Sequence, residues 1–242
     1  MQKTNNERLQ TIASAMQELN SRLVYVGGAM AGAYATDPTA TEPRTTLDVD
    51  CVVDSNSYAE HAAFEELLRE KHFQNDHDSE PPVICRWVYN GDLVDVMSMN
   101  EQSLSFGNKW YSIGFEHREM YTLPSGQLIY RLPVTYYIAT KIDALYSRGG
   151  EDWRGAKDFE DIIYVLNYCM EFLDKFHAEK GLVKNYLAEQ FAACSLSKRQ
   201  WQKAMQKLRL YSPIMYPPIY AQQRSSAEVL LAEHLRWNWA TI

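Results

Sequence analysis

Asp48 and Asp50 stand two apart in the stretch Arg44-Thr45-Thr46-Leu47-Asp48-Val49-Asp50-Cys51-Val52-Val53-Asp54, and their spacing suggests chemistry. From Leu47 to Val53 the residues alternate as in a strand, with Leu47, Val49, Cys51 and Val53 on one side and Asp48 and Asp50 on the other. Alternate strand residues lie about 6.5–7 Å apart at Cα, so both carboxylates can lean onto one cation. Asp is depleted in strands and like charges repel. A divalent metal is the simplest compensation; the other reading is an acidic face turned to water. Asp95 lies within the apolar run Leu93-Val-Asp-Val-Met97, a misfit unless it sits at a sheet end or serves a site. Two acids on one strand and a third on another are a common way to build a two-metal site.

A second group of residues could meet phosphate. Gly27-Gly28 follows the apolar run Leu23-Val24-Tyr25-Val26 and precedes the small helix formers of 29–35. A strand, a Gly-Gly pair and a helix offer backbone N–H groups to an anion, although a tight turn explains the same residues. Neither a G-x-G-x-x-G nor a P-loop is present. Further on, Lys141 and Arg148 share one helix face, and Asp158 and Asp161 share a face of the next helix. Asp158 falls in a first turn, where the helix dipole favours a carboxylate. Lys141 and Arg148 either reach phosphate at the mouth of the acidic site or join the two acids in an interhelical salt-bridge set.

The elements that must position these groups follow from periodicity. Helices are expected over about 7–19, 58–71, 133–147, 156–176, 182–193, 198–208 and 227–239. Strands are expected over 23–26, 47–53, 83–89 and 93–99, the last two forming a hairpin around Asn90-Gly91-Asp92. A second hairpin spans 121–131 around Pro124-Ser125-Gly126, and Pro133 suits the first turn of the helix that follows. Tyr211 to Pro218, with three prolines, reads as a rigid linker. The order implies an α+β fold: a small mixed sheet with flanking helices over 1–132, then a helical half over 133–242.

Composition narrows the function classes. The chain of 242 residues carries a formal charge of −7, which argues against indiscriminate binding of nucleic acid by the whole surface. The charge is uneven: residues 175–209 hold eight basic and two acidic residues, a local +6 against −13 for the rest. Arg199, Lys203 and Lys207 recur every fourth residue opposite Trp201, Ala204, Met205 and Leu208, either an RNA-facing ridge or a solvated face. Cys51, Cys85, Cys169 and Cys194 form no Cys-x-x-Cys, and the six His make no zinc pattern, so a hard cation on carboxylates is the metal to expect. No apolar run is long enough to span a membrane, and the opening residues lack a signal peptide's apolar segment, so a cytoplasmic protein is expected. Trp237 and Trp239 either pack a last helix or meet a partner.

Taken together, Gly27-Gly28, Arg44-x-Thr46-x-Asp48-x-Asp50, Asp95 and Lys141-x-x-Ala-Leu-x-x-Arg148…Lys157-Asp158-x-x-Asp161 resemble the AbiEii-like nucleotidyltransferases. That family belongs to the DNA polymerase beta superfamily and includes toxins of type IV toxin–antitoxin and abortive-infection systems. The resemblance covers roughly residues 20–170. It implies that Gly27 and Gly28 hold the triphosphate, with Arg44 and Thr46 as the run-in to the acids. Asp48, Asp50 and Asp95 would bind two Mg²⁺, Mn²⁺ being the alternative, and Lys141 and Asp158 would line the nucleotide pocket as catalytic or binding residues, with Arg148 and Asp161 as nucleotide-binding residues. The implied reaction moves NMP from an NTP to an acceptor hydroxyl, with tRNA as the candidate acceptor and an antitoxin as a candidate partner. Two other readings stay open: transfer to a small molecule or protein, and a catalytically silent binding module. The interval from Gly28 to Asp48, which includes the 37–43 loop, is longer than the family pattern.

Overall fold

The computed structural model describes residues 3–99, 108–148 and 156–196, with side chains to residue 191. The chain divides into two compact units, Met1–Ala33 with Arg44–Thr140 and Tyr34–Pro43 with Lys141–Ile242. The expected helices over 198–208 and 227–239, the proline linker, Trp237, Trp239 and most of the basic 175–209 segment lie outside the described residues.

The first unit is an α+β fold on one mixed sheet. Helix α1 (Asn5–Met16) opens on a capping box: the Glu7 N–H donates to Thr4 Oγ1 and the Thr4 N–H donates to the Glu7 carboxylate. Its apolar stripe of Leu9, Ile12, Ala13 and Met16 is fully buried. Strand β1 (Leu23–Val26) is buried at every position, as its unbroken apolar run requires. Strand β2 (Asp48–Val53), helix α2 (Tyr58–Glu70), the short β3 (Gln74–Asn75), β4 (Arg86–Tyr89) and β5 (Asp92–Ser98) follow. Helix α3 (Lys109–Glu116), β6 (Glu119–Thr122), β7 (Leu128–Arg131) and the start of helix α4 (Val134–Arg148), whose residues from Lys141 onward belong to the second unit, complete the series. The strand order is β3-β4-β5-β2-β1-β7-β6. β2 lies parallel to β5 and antiparallel to β1, and β1 lies parallel to β7.

One turn fixes the register between β4 and β5. Asn90 and Gly91 have φ of 48° and 78°, the left-handed pair that closes a two-residue hairpin. Tyr89 therefore faces Asp92, and Arg86 faces Asp95.

Three local features depart from the periodicity. The segment after the glycines, Gly28–Tyr34, is a 3₁₀ helix, not the expected α-helix; Gly28 and Gly32 weaken helix formation in a run of only seven residues. Helix α3 was not anticipated. Asn108 caps it by accepting from the Trp110 N–H at 3.0 Å. Gly114, which disguises the helical pattern, is there because a Cβ would lie 2.9 Å from Leu132 Cδ2. In the second unit the expected long helix over 156–176 is two, α5 (Lys157–Tyr168) and α6 (Phe172–Ala178). The break has a cause in the loop 34–43. The Thr36 and Asp37 N–H groups donate to the Tyr168 carbonyl at 2.8 and 3.0 Å, and so cap α5 from outside. Helix α7 (Leu182–Leu196) closes the described part, with Phe172, Phe176 and Phe191 packed as one aromatic cluster.

Candidate functional site

Asp48, Asp50 and Asp95 come together at one end of the sheet. In the parallel β2–β5 pair Asp50 is the register partner of Asp95. The antiparallel pairs set Val26 opposite Asp50 and Arg86 opposite Asp95. One row therefore crosses four strands as Arg86, Asp95, Asp50 and Val26. Side chains on one row of a sheet share a face, so the acids and a guanidinium gather there, with Asp48 two residues along on the same side. The reverse face of β2 carries Val49, Cys51 and Val53, all buried.

The row ends at the two glycines. Gly27 follows Val26 with φ of 71°, and a Cβ on it would lie 1.8 Å from Asp50 Oδ2. Asp50 thus rests its carboxylate in the space that a side chain would fill. Tyr137 holds the adjoining backbone by donating its hydroxyl to the Gly27 carbonyl at 3.1 Å. At Gly28 a Cβ would lie 2.3 Å from Arg44 Nη2 and 2.7 Å from Thr46 Cγ2. Arg44, Thr46, both glycines and the acids form one neighbourhood in the first unit.

The segment carrying Arg44 and Thr46 is held by α1. Asn5 donates its Nδ2 to the Arg44 carbonyl and accepts the Thr46 N–H at Oδ1, both at 2.9 Å. Arg8 donates Nε to the Thr46 carbonyl at 3.0 Å and Nη1 to Asp92 Oδ1 at 2.9 Å, while Lys3 pairs with the other Asp92 oxygen. Asn5, Arg8 and Asp92 were not foreseen. Nothing local in the sequence links residues so far apart.

Arg86 is the largest omission of the sequence reading. Its Nε lies 2.7 Å from Asp95 Oδ1, and its Nη2 lies 2.8 Å from Asp95 Oδ2 and 3.0 Å from Asp48 Oδ2. A planar, bidentate guanidinium of this kind is the strongest side-chain partner a carboxylate finds. The hydrogen bonds it donates to the Asp95 carboxylate hold the Arg86 pKa far above its ordinary value. Burial, reinforced by nearby Asp95, pushes the Cys85 thiol up to about 12. Burial, then Asp50 and Asp95, likewise raises Cys51 on the reverse face. Both thiols stay protonated and neutral. A sequence signal for Arg86 did exist: with a two-residue loop at Asn90-Gly91, counting back from Tyr89 and forward from Asp92 sets 86 against 95.

Lys141, Arg148, Asp158 and Asp161 form their own cluster in the second unit. Lys141 Nζ lies 2.7 Å from Asp161 Oδ2 and 3.2 Å from Asp158 Oδ1, and Arg148 Nη2 lies 3.0 Å from Asp158 Oδ2. Lys141 and Asp161 are buried. The cluster is an interhelical ion-pair set between α4 and α5.

The donor chemistry of the first cluster suits a hard divalent cation: three carboxylates on one face, with no thiol or imidazole among them. The guanidinium already bound there marks the face as one that requires positive charge. As they stand, Asp48 and Asp95 converge on Arg86, and among the described residues no three acidic, His or Cys side chains gather as a metal cage. No described helix is long and apolar enough to cross a membrane.

No family model matches the sequence. No curated protein matches it either. Among solved structures, the chain is similar to an antigenic nucleotidyltransferase-like protein from Paracoccidioides brasiliensis, at 19% identity and a TM-score of 0.45 over 72% of this chain and 86% of that one. It is also similar to the antibiotic-resistance factor ANT(2'')-Ia, at 14% identity and a TM-score of 0.45 over 80% of this chain and 96% of that one.

Proposed function

We propose that the chain is a Mg²⁺-dependent nucleotidyltransferase of the AbiEii-like kind, moving NMP from an NTP to an acceptor hydroxyl. One observation carries the reading: Asp48, Asp50 and Asp95 share a sheet face that ends on Gly27 and Gly28, with Arg44 against Gly28. Acids for cations, side-chain-free backbone for close approach and a guanidinium for phosphate are the parts that such a transfer needs.

Asp48, Asp50 and Asp95 are the residues that would hold the cations. Cations held there would offset the charge of the triphosphate and lower the pKa of the acceptor hydroxyl. The bond from the acceptor oxygen to the α-phosphorus forms as the bond from the α-phosphorus to the β-bridging oxygen breaks. Pyrophosphate leaves with that electron pair, and the acceptor proton passes to a carboxylate or to solvent. Asp95, the most buried of the three acids, is the candidate base or cation-bridging group. Gly27 and Gly28 let the triphosphate approach the backbone, and Arg44 pairs with its charge. Lys141 and Asp158, with Arg148 and Asp161, are proposed nucleotide-pocket residues on the strength of the family resemblance alone.

The acceptor is proposed to be tRNA, in keeping with a toxin-like role countered by an antitoxin, and the basic 175–209 segment is the candidate contact. The decisive experiment is incorporation of each α-labelled NTP into total bacterial RNA with Mg²⁺, comparing the wild type with Asp50→Ala. Label in the tRNA band that disappears in the variant supports the proposal. Label on protein or small molecules instead would reassign the acceptor. No transfer and no NTP binding would leave a silent binding module.

A further inference from the structure

We propose that Arg86 is a built-in competitor for the cation, occupying the carboxylate oxygens that a divalent ion needs and yielding them when it binds. The inference rests on reading the three acids as the cation site.

Arg86 engages both oxygens of Asp95 and Oδ2 of Asp48, and its Nη2 is shared between the two acids. A divalent cation binds carboxylates through the same lone pairs. Two cations cannot use them at once, and a guanidinium beside a divalent ion at contact distance would be repelled. With Arg86 in place, Asp48 and Asp95 face its guanidinium, and among the described residues no three acids gather as a cage. The arginine is also placed to leave. It is the first residue of β4, its side chain retains 16% exposure, and its remaining hydrogen bond, from Nη1 to Ser79 Oγ, is long at 3.5 Å. A strand-end side chain can swing away without breaking the ladder.

The arrangement solves a problem that the acids create. Three carboxylates on one face would repel one another whenever the ion is absent, and removing the partner of a buried charge is strongly destabilising. Arg86 supplies that positive charge to the cation-free protein. The cost is a weaker apparent affinity for the ion, because each binding event must first break three hydrogen bonds from the guanidinium. Arg86 is therefore a positioning residue, acting through Asp48 and Asp95.

The test is Mn²⁺ binding to the full chain, followed by calorimetry and by the loss of the free-ion EPR signal. Wild type, Arg86→Gln, Arg86→Lys and Asp50→Asn are compared. Arg86→Gln is expected to bind Mn²⁺ at least tenfold more tightly than wild type. Arg86→Lys, which keeps the charge but loses the bidentate fork, should fall between them. Cation-free Arg86→Gln should melt at a lower temperature than wild type and recover as Mn²⁺ is added. Equal or weaker binding by a folded Arg86→Gln, with wild type still binding and Asp50→Asn not, would overturn the competitor while leaving the cation site intact. No binding by either wild type or Arg86→Gln would remove the cation site itself. Should Arg86→Gln not fold, the side-chain ¹⁵Nε signal of Arg86 in the wild type, assigned by its loss in Arg86→Lys, gives a second readout. Mg²⁺ should shift that signal and speed its solvent exchange; an unmoved signal at saturating Mg²⁺ would overturn the proposal.

Discussion

A methyl group at Gly27 would collide with Asp50, and φ of 71° there is a conformation that side chains resist. Gly27→Ala is accordingly expected to cost about 1–2 kcal/mol of stability. Because it displaces Asp50, it should also lower kcat/KM for NMP transfer by on the order of 10²-fold. Gly126 supplies the control: its φ is 87° with nothing near a built Cβ, so Gly126→Ala should lose stability only. Equal activity losses in both variants would detach Gly27 from the site. His61 makes a different prediction. It is buried, its Nδ1 lies 3.3 Å from Ser55 Oγ, and burial lowers its pKa from 6.5 despite the opposing pull of Glu65. A depressed pKa means that the unfolded chain binds the proton first, so stability is full above about pH 6.5 and declines as pH falls toward the folded-state pKa. His61→Gln should flatten this part of the stability–pH curve, as measured by urea unfolding at a series of pH values.

At the scale of elements, α1 does more than cover the sheet. Arg8 ties it to Asp92 on β5 and to the Thr46 carbonyl beside the glycines. Arg8→Met removes one partner of a buried charge and should cost roughly 3–5 kcal/mol, toward the lower end because Lys3 still reaches Asp92. By loosening the Thr46 carbonyl, two residues from Arg44, it should also raise KM for the NTP, and an unchanged KM would limit α1 to packing. Lys141→Met, in the second unit, removes the ammonium 2.7 Å from buried Asp161 and should cost about 3–5 kcal/mol. Adding Asp161→Leu should recover part of that loss, because a buried pair is often replaceable by apolar groups. Much of this architecture was legible in the sequence. β1 matches its expected span, β2 begins one residue late, and the α+β order holds. The acids were legible because charged residues inside an alternating apolar strand contradict their own environment. The Asn90-Gly91 turn even encoded the pairing of Arg86 with Asp95, but reading it required converting a turn type into a register. The 3₁₀ segment, the break at Cys169 and the Asn5–Arg44–Thr46 bracket were not legible. They are set by contacts between residues distant in sequence, and periodicity is blind to those.

Across the described residues of the whole molecule, the three buried cysteines divide between the units: Cys51 and Cys85 in the first, Cys169 in the second. Burial raises all three thiols above their ordinary pKa, and Cys51 is wholly enclosed behind the acids. Thiolates are the reactive form, so a sealed and protonated thiol is inert until its surroundings open. Each cysteine is therefore a timer for the piece of structure around it. In iodoacetamide followed by peptide mass spectrometry, Cys51 should be the slowest of the three to alkylate. A saturating divalent ion and nucleotide should slow Cys51 further, so that occupancy of the acidic face is recorded as a permanent chemical mark on the strand behind it.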